Sequence, residues 1–404
     1  MGHAGIGMKL GAESQFFNPA GMAFMENKVE ASASINAIFP KCTANIGGTD
    51  YHTDCKASTP LSVFGAFSIY PTLKAGISVY TPYGSSINWT DNWPGATLIQ
   101  SVDLAAYTVQ PTLAWQILPN LSVGAGLTLT WGSVNLNKGL ISGAELDAML
   151  AMLGSDYRFG NITPASVNLN GKAGIACGVN LGVMYDISRN VTAGVNFRSK
   201  SMLKVKSGRT EVSYATSDPA ILGLLTSKLD GISKTDFSAA MPCPATLGLG
   251  VSWHNDRVVA DIDAQLTFWS AYKSLDIAFE GASQFDQHLE KNYHNSCLVR
   301  GGVEWKTTSR LDLRAGLMVD FSPCDKEYYN PETPGMTKIE PTLGLTFRPL
   351  PCLGINVAAM YVAGLGVDNA SYTSPGVLTD RPTKFTADYS LHSWTASVGL
   401  SLAF

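Results

Sequence analysis

From near residue 28 to the last residue, apolar and polar side chains alternate with period two, in one segment after another. Such a pattern admits little besides β-strands with two unlike faces. In Leu121–Trp131 one face reads Leu121, Val123, Ala125, Leu127, Leu129, Trp131, and the other Ser122, Gly124, Gly126, Thr128, Thr130. Val191–Arg198 and Leu311–Phe321 divide in the same way. About fourteen segments follow, near 28–39, 60–70, 73–84, 103–117, 120–134, 166–187, 190–205, 236–253, 257–269, 296–306, 310–321, 337–348, 352–364 and 385–404. Several are close to the ~10 residues a tilted strand needs to cross a hydrocarbon layer.

The connections alternate in length. Short ones lie at Pro71-Thr72, Pro119-Asn120, Ser188–Asn190, His254–Asp256, Thr307–Ser309 and Pro349–Pro351. Long ones lie near 40–59, 85–102, 135–165, 206–235, 270–295, 322–336 and 365–384. Short turns on one side and long loops on the other are the mark of a bacterial outer-membrane barrel, and a soluble sandwich has no reason to keep that asymmetry. An even strand number puts both chain ends on the short-turn, periplasmic side. Tyr70, Tyr80, Trp115, Trp131, Tyr185, Trp253, Trp269, Trp305 and Tyr361 stand near strand ends as candidates for interfacial girdles.

Composition agrees. Charged residues are 15% of the 404, well below the quarter usual in soluble domains, and no run of ~18 apolar residues offers a membrane helix. A net charge of −4 without a basic block argues against nucleic acid as a partner. Met1–Gly5 lacks the features of a signal peptide, so the numbered chain is expected to be a mature or truncated form. The six histidines are dispersed and the seven cysteines make no CxxC pair, so no metal, cofactor or catalytic triad is indicated. Asp261 and Asp263 recur on one strand face without a nucleophile beside them, and an enzyme is not expected. Cys42 and Cys55 fall in one loop as a candidate disulfide, with two free thiols as the alternative.

Two long loops have helical character. Ser142 and Glu145 have capping-box spacing ahead of Leu146, Met149, Leu150 and Leu153. Ser217-Asp218-Pro219 opens a second run with Ile221 and Leu225 on one face. Apolar faces on extracellular loops need cover. They either pack within the loops or line a groove for hydrophobic ligands.

Residues 1–27 do not alternate. Small residues there permit tight turns, while Phe16, Phe17, Met22 and Phe24 call for burial. Ahead of the first strand, this segment fits best inside the barrel as a plug, with residues 28–404 as the wall.

Asn18-Pro19-Ala20-Gly21 after Gly11–Ser14, Thr81-Pro82-Tyr83-Gly84 with Trp89 in the third strand, the strand count and the terminal Phe404 together resemble the FadL-type outer-membrane transporters of long-chain fatty acids and other hydrophobic compounds. The resemblance covers essentially the whole chain. It implies a fourteen-stranded barrel plugged by an amino-terminal hatch containing Asn18, Pro19, Ala20 and Gly21. It also implies a low-affinity groove between extracellular loops, a pocket in the lumen, and lateral exit where Pro82, Tyr83 and Gly84 kink the third strand. Proline removes a ladder donor and glycine marks bends, which suits that kink. Phe404, ending the last strand, resembles the signal read by the outer-membrane assembly machinery.

A fatty-acid pocket should be apolar with one or two cations. Arg198, Arg300, Arg314 and Lys172 are the inward-facing candidates, with pairing to neighbouring carboxylates as the plain alternative. The expected partners are a fatty-acid-like ligand and outer-membrane lipid, and the expected state is a monomer. A structural or adhesive barrel and a diffusion porin for polar solutes are the competing functions. The plug argues against the porin.

Overall fold

The computed structural model describes every residue except 91, 230 and 375–382. Part of the long connection expected near 365–384 therefore lies outside the described residues. One antiparallel sheet closes on itself as a ring of fourteen wall strands. They are β1 (Val29–Ile46), β2 (Leu61–Tyr70), β3 (Leu73–Asn88), β4 (Ser101–Leu118), β5 (Leu121–Ile141) and β6 (Ala165–Asp186). Then come β7 (Val191–Arg198 and Ser201–Tyr214), β8 (Asp236–Cys243 and Thr246–His254), β9 (Val258–Thr267) and β10 (Ser296–Lys306). The ring ends with β11 (Leu311–Asp320), β12 (Lys338–Leu350), β13 (Leu353–Gly364) and β14 (Thr383–Ala403). Closure is β1 against β14, in register from Glu30↔Ala403 to Asn45↔Asp388. Every wall strand thus has a partner on both sides, the only way an open edge is avoided in lipid.

The alternation sorts side chains as the sequence pattern requires. Ser122, Gly126, Thr128 and Thr130 of β5 face in, while Leu127 and Trp131 face out. Ile35, Phe67, Ile77, Leu113, Leu249, Ile262, Leu343 and Val398 all expose a third or more of their surface around the ring. A belt of this size is untenable in water and natural in hydrocarbon. Trp115, Tyr185, Trp253 and Trp305 stand exposed near the short turns. Tyr80 does not join them: it is 3% exposed and points into the lumen.

β5 and β6, at 21 and 22 residues, are about twice the length needed to span the membrane. Their surplus projects beyond it and carries helix α2 (Gly143–Met152; α1 is the amino-terminal turn Ser14–Phe17) between them, opened by the capping box of Ser142 and Glu145. A second loop helix, α3 (Pro219–Leu229), follows β7. Both send apolar residues into a core above the barrel, together with the stacked and fully buried Trp89 and Trp93. This cap is a second hydrophobic centre, separate from the hatch.

Of the bulges in the wall, two bear on the lumen below the cap. One lies in β3, where Tyr80 faces Thr108 but Tyr83 faces Ala106. The other lies in β6, where Ala176 faces Thr130 but Ala173 faces Gly132. An extra residue reverses which side chains point in.

Candidate functional site

The hatch consists of a 3-10 turn (Gly11–Glu13), one helical turn (Ser14–Phe17) and a second 3-10 turn (Pro19–Phe24). Asn18 organises it. Its backbone is extended, its side-chain oxygen accepts from Ala20 N at 3.2 Å, and Pro19 occupies the first position of the following turn, where no N–H is needed. Its amide donates to Ile6 O at 3.0 Å within the hatch and to Val183 O at 3.1 Å in the wall. A Cβ on Gly21 would lie 2.7 Å from Ser14 Oγ and 3.1 Å from Met8 O, so any side chain there would displace the Ser14 hydroxyl.

The wall meets the hatch through its missing side chains. Cβ atoms added at Gly124, Gly182 and Gly194 would sit 2.4 Å from Pro19 C, 2.0 Å from Asn18 Oδ1 and 2.1 Å from Ile6 O. The wall's polar side chains then bond to the hatch backbone. Gln110 Nε2 and Asn180 Nδ2 donate to Gln15 O at 2.6 and 3.0 Å, and Ser122 Oγ to Ala20 O at 2.9 Å. Asp263 accepts from Gly5 N at 2.8 Å and Ile6 N at 3.1 Å while Arg300 Nε donates to it at 3.1 Å. A plug in this position needs such partners, because its backbone groups have lost water.

On the extracellular side of the hatch lies an apolar cluster of Ala106, Ala176, Leu203 and Cys243, with Tyr83, Ala173 and Met241 packed against it. Beside it Phe16 meets Tyr80 edge-on at 5.1 Å. The Arg198 guanidinium stands 4.8 Å from the centre of the Phe16 ring and 5.9 Å from that of Tyr80. It donates to Phe16 O at 3.0 Å, but its Nε is buried without a partner.

The wall is incomplete at one place. The β2–β3 ladder stops at Ser62↔Tyr80. Beyond the bulge, Tyr83–Asn88 pairs only with β4. The chain ahead of β2 turns instead to β1, through Ser58↔Ile38 and Asn36 N to Pro60 O. It rejoins β3 only at Asn88, whose carbonyl accepts from Asp54 N at 2.8 Å, and at the Thr53↔Trp89 bridge. Among the described residues no backbone hydrogen bond joins 56–60 to 82–87 across this gap. Pro82, lacking an N–H, sits where the ladder is lost. Tyr83 reaches inward to the apolar cluster and Gly84 lies exposed.

A hatch on a glycine track and a side gap next to an apolar cluster are the setting in which known proteins match this chain. The family described as outer membrane protein transport protein (OMPP1/FadL/TodX) matches residues 2–404. The chain belongs to this family. Outer membrane protein P1 of Haemophilus influenzae is 23% identical over 344 residues, covering 82% of this chain and 71% of that protein. Among solved structures, a Pseudomonas aeruginosa FadL homologue superposes with a TM-score of 0.82 at 19% identity, covering 99% of this chain and 96% of the other. The P. putida toluene transporter TodX gives a TM-score of 0.73 at 18% identity, covering 98% and 94%. This family places the chain in the bacterial outer membrane and makes it a transport protein.

Within this family fold, the four cation candidates separate. Arg300 is paired with Asp263, and Arg314 with Glu304 at 2.6 Å and Asp312 at 3.9 Å. Lys172 is exposed, contrary to the inward placement expected. Even-numbered residues face in from Ala176 to Met184, but the β6 bulge reverses the parity above them and turns Lys172 outward. Arg198 alone of the four faces the lumen with no carboxylate at ion-pair distance among the described residues.

The loop-groove expectation needs correcting. Leu146, Leu150, Ile221 and Leu225 are each 5% exposed or less and belong to the cap core, with Met149 partly buried against it. They line no open groove. Leu153 caps the end of α2 and is 70% exposed, off the buried face. Cys42 and Cys55 are free thiols rather than a disulfide. The β1 hairpin pairs Cys42 with Thr53, whose Oγ1 accepts from Cys42 N at 2.9 Å, and Cys55 turns toward β3, its sulfur accepting from Asn88 N.

Sequence reading missed the polar centre of the cap. Lys291 and Glu332 form a buried ion pair there, and Lys138 Nζ donates to Gln287 Oε1 at 2.9 Å. All four lie in long loops or at a strand's outer end, where no periodicity marks a side chain as buried.

Proposed function

We propose that this protein carries hydrophobic small molecules, with long-chain fatty acids the best-suited class, passively across the outer membrane. Ligand enters beneath the cap, lodges in the apolar chamber above the hatch with its carboxylate at Arg198, and leaves sideways through the gap beside Pro82, Tyr83 and Gly84. The gap carries this reading. An apolar molecule has no reason to cross the polar lumen if the wall beside its chamber opens to lipid. The bilayer is then the sink, and no energy source is required.

Arg198 supports the carboxylate. Arginine here offers planar, charge-assisted donors, and its Nε is buried without a hydrogen-bond partner among the described residues. The hatch seating supports lateral rather than axial exit, since the way to the periplasm is filled by backbone bonded to the wall.

Fatty-acid binding to the purified protein in lipid nanodiscs tests the assignment. Arg198→Met should weaken a long-chain carboxylate by about 10- to 100-fold, the worth of one charge-assisted hydrogen bond, and leave the matching alcohol unchanged. Equal loss for both ligands, or for neither, would remove Arg198 from the path.

A further inference from the structure

The connection between β11 and β12 does not stay at the surface. Tyr329, Asn330, Pro331 and Glu332 are all buried, and so is Met336. The segment turns down into the mouth of the barrel, where Tyr329 stacks on Tyr389 at 4.6 Å and Trp89 Nε1 donates to Pro331 O at 3.3 Å. Glu332 is buried with them, its N–H held by Asn330 Oδ1 at 3.0 Å. Its carboxylate pairs with the ammonium of Lys291, which has no exposed surface.

The charges in this pocket do not balance. Lys138 is 5% exposed and lies near enough to Glu332 and Lys291 to feel both charges, yet its bonded partner is the neutral amide of Gln287. Among the described residues, two buried ammonium groups therefore share one carboxylate. Burying a cation is costly unless an anion accompanies it. That carboxylate belongs to a loop, whereas Lys138 is fixed on β5.

We propose that Glu332 is a built-in stand-in for the anionic head group of the cargo, and that the 329–336 segment is a lid it holds shut. An incoming carboxylate takes the place of Glu332 at Lys291, with Lys138 supplying the second cation. The displaced segment then swings out of the mouth and clears the way to the chamber. Two carboxylates cannot share the site as well as one, so ligand binding and lid closure exclude each other. This inference rests on the reading of an anionic amphiphile as cargo and adds how the protein admits it.

The test uses the full-length protein in nanodiscs, with oleate and oleyl alcohol as probes. Glu332→Gln keeps the shape of the lid and removes the competing charge. It should bind oleate about 10-fold more tightly than wild type and oleyl alcohol unchanged. In the unmutated protein, saturating oleate should speed amide hydrogen exchange at 329–336, and oleyl alcohol should not. Unchanged or weaker oleate binding by Glu332→Gln, or a lid equally protected with and without oleate, would overturn the proposal. If wild type binds oleate but shows neither effect, only the lid fails. If wild type binds neither probe, the transport reading fails and the lid with it.

Discussion

Replacing Gly182 by valine probes whether close backbone approach is what seats the hatch. A Cβ at Gly182 would fall 2.0 Å from Asn18 Oδ1, 2.9 Å from Pro19 Cδ and 3.0 Å from Ala20 N. Ordinary carbon contacts begin near 3.4 Å, so this turn of the hatch must retreat by about 1.4 Å. The wall cannot yield instead, because Gly182 is paired on both sides, with Gly124 and Asn196. Retreat stretches the bonds from Asn18 to Val183 O and from Ser122 to Ala20 O. At about 1 kcal/mol for each bond and about 1 more for overpacking, docking weakens by roughly 3 kcal/mol. The undocked fraction then rises on the order of 100-fold. Single-channel conductance in planar bilayers should show frequent openings, and hydrogen exchange over residues 14–24 should quicken. Gly174→Ala is the control, since nothing lies within 4 Å of a Cβ there. Wild-type conductance together with wild-type exchange in Gly182→Val would refute the seating argument.

Three further outcomes follow from the same geometry. Arg300→Met leaves Asp263 without its cation, so it should raise ion leak through the hatch, as Arg198→Met should not; equal leak in both variants would contradict the division of roles. Burial, with Glu30 nearby, raises the pKa of Glu13 against the opposing Ser32 hydrogen bond and Arg314 charge. The docked hatch therefore binds more protons and loses stability as pH rises above about 4.5, so Glu13→Gln should slow exchange over residues 11–24 at pH 7 but not at pH 4; a gain independent of pH would be the wrong sign. Leu146→Ala and Leu225→Ala each empty a buried position in the cap and should cost about 2–4 kcal/mol of local stability, whereas Leu153→Ala should cost under about 0.5; thermal unfolding that ranks the three alike would contradict the cap core.

The wall was legible because lipid on one side and a polar lumen on the other force each strand to alternate. Leu121–Trp131 therefore announces its two faces with no knowledge of its neighbours. Legibility ends where parity changes. The β6 bulge near Gly174 sends Lys172 outward, and nothing in the local residues marks the extra position. Pairing with neighbouring carboxylates could be foreseen, but which cation would go unpaired could not, since that depends on register between distant segments. Arg300 lies directly opposite Asp263 and Arg314 opposite Glu304, but Arg198 lies between Asn180 and Thr246, neither of which carries a charge. Asn18–Gly21 could be singled out as a turn, yet its fit to Gly124, Gly182 and Gly194 became visible only when the hatch and wall were seen together. In the cap, helix α2 was signalled by its capping box, but which neighbour covered its apolar face was not.

The lateral route is tested most directly by deleting Thr81. That deletion removes the extra residue of the β3 bulge and lets Pro82 and Tyr83 fall into the register set by Tyr80↔Thr108. Uptake of labelled long-chain fatty acid is then compared among cells with the wild-type gene, the deletion and no gene, with heat-modifiable migration confirming a folded barrel. The account predicts that the straightened wall lowers uptake to the level of cells without the gene while conductance stays at the wild-type value. A folded, straightened barrel that takes up fatty acid as fast as wild type would contradict it.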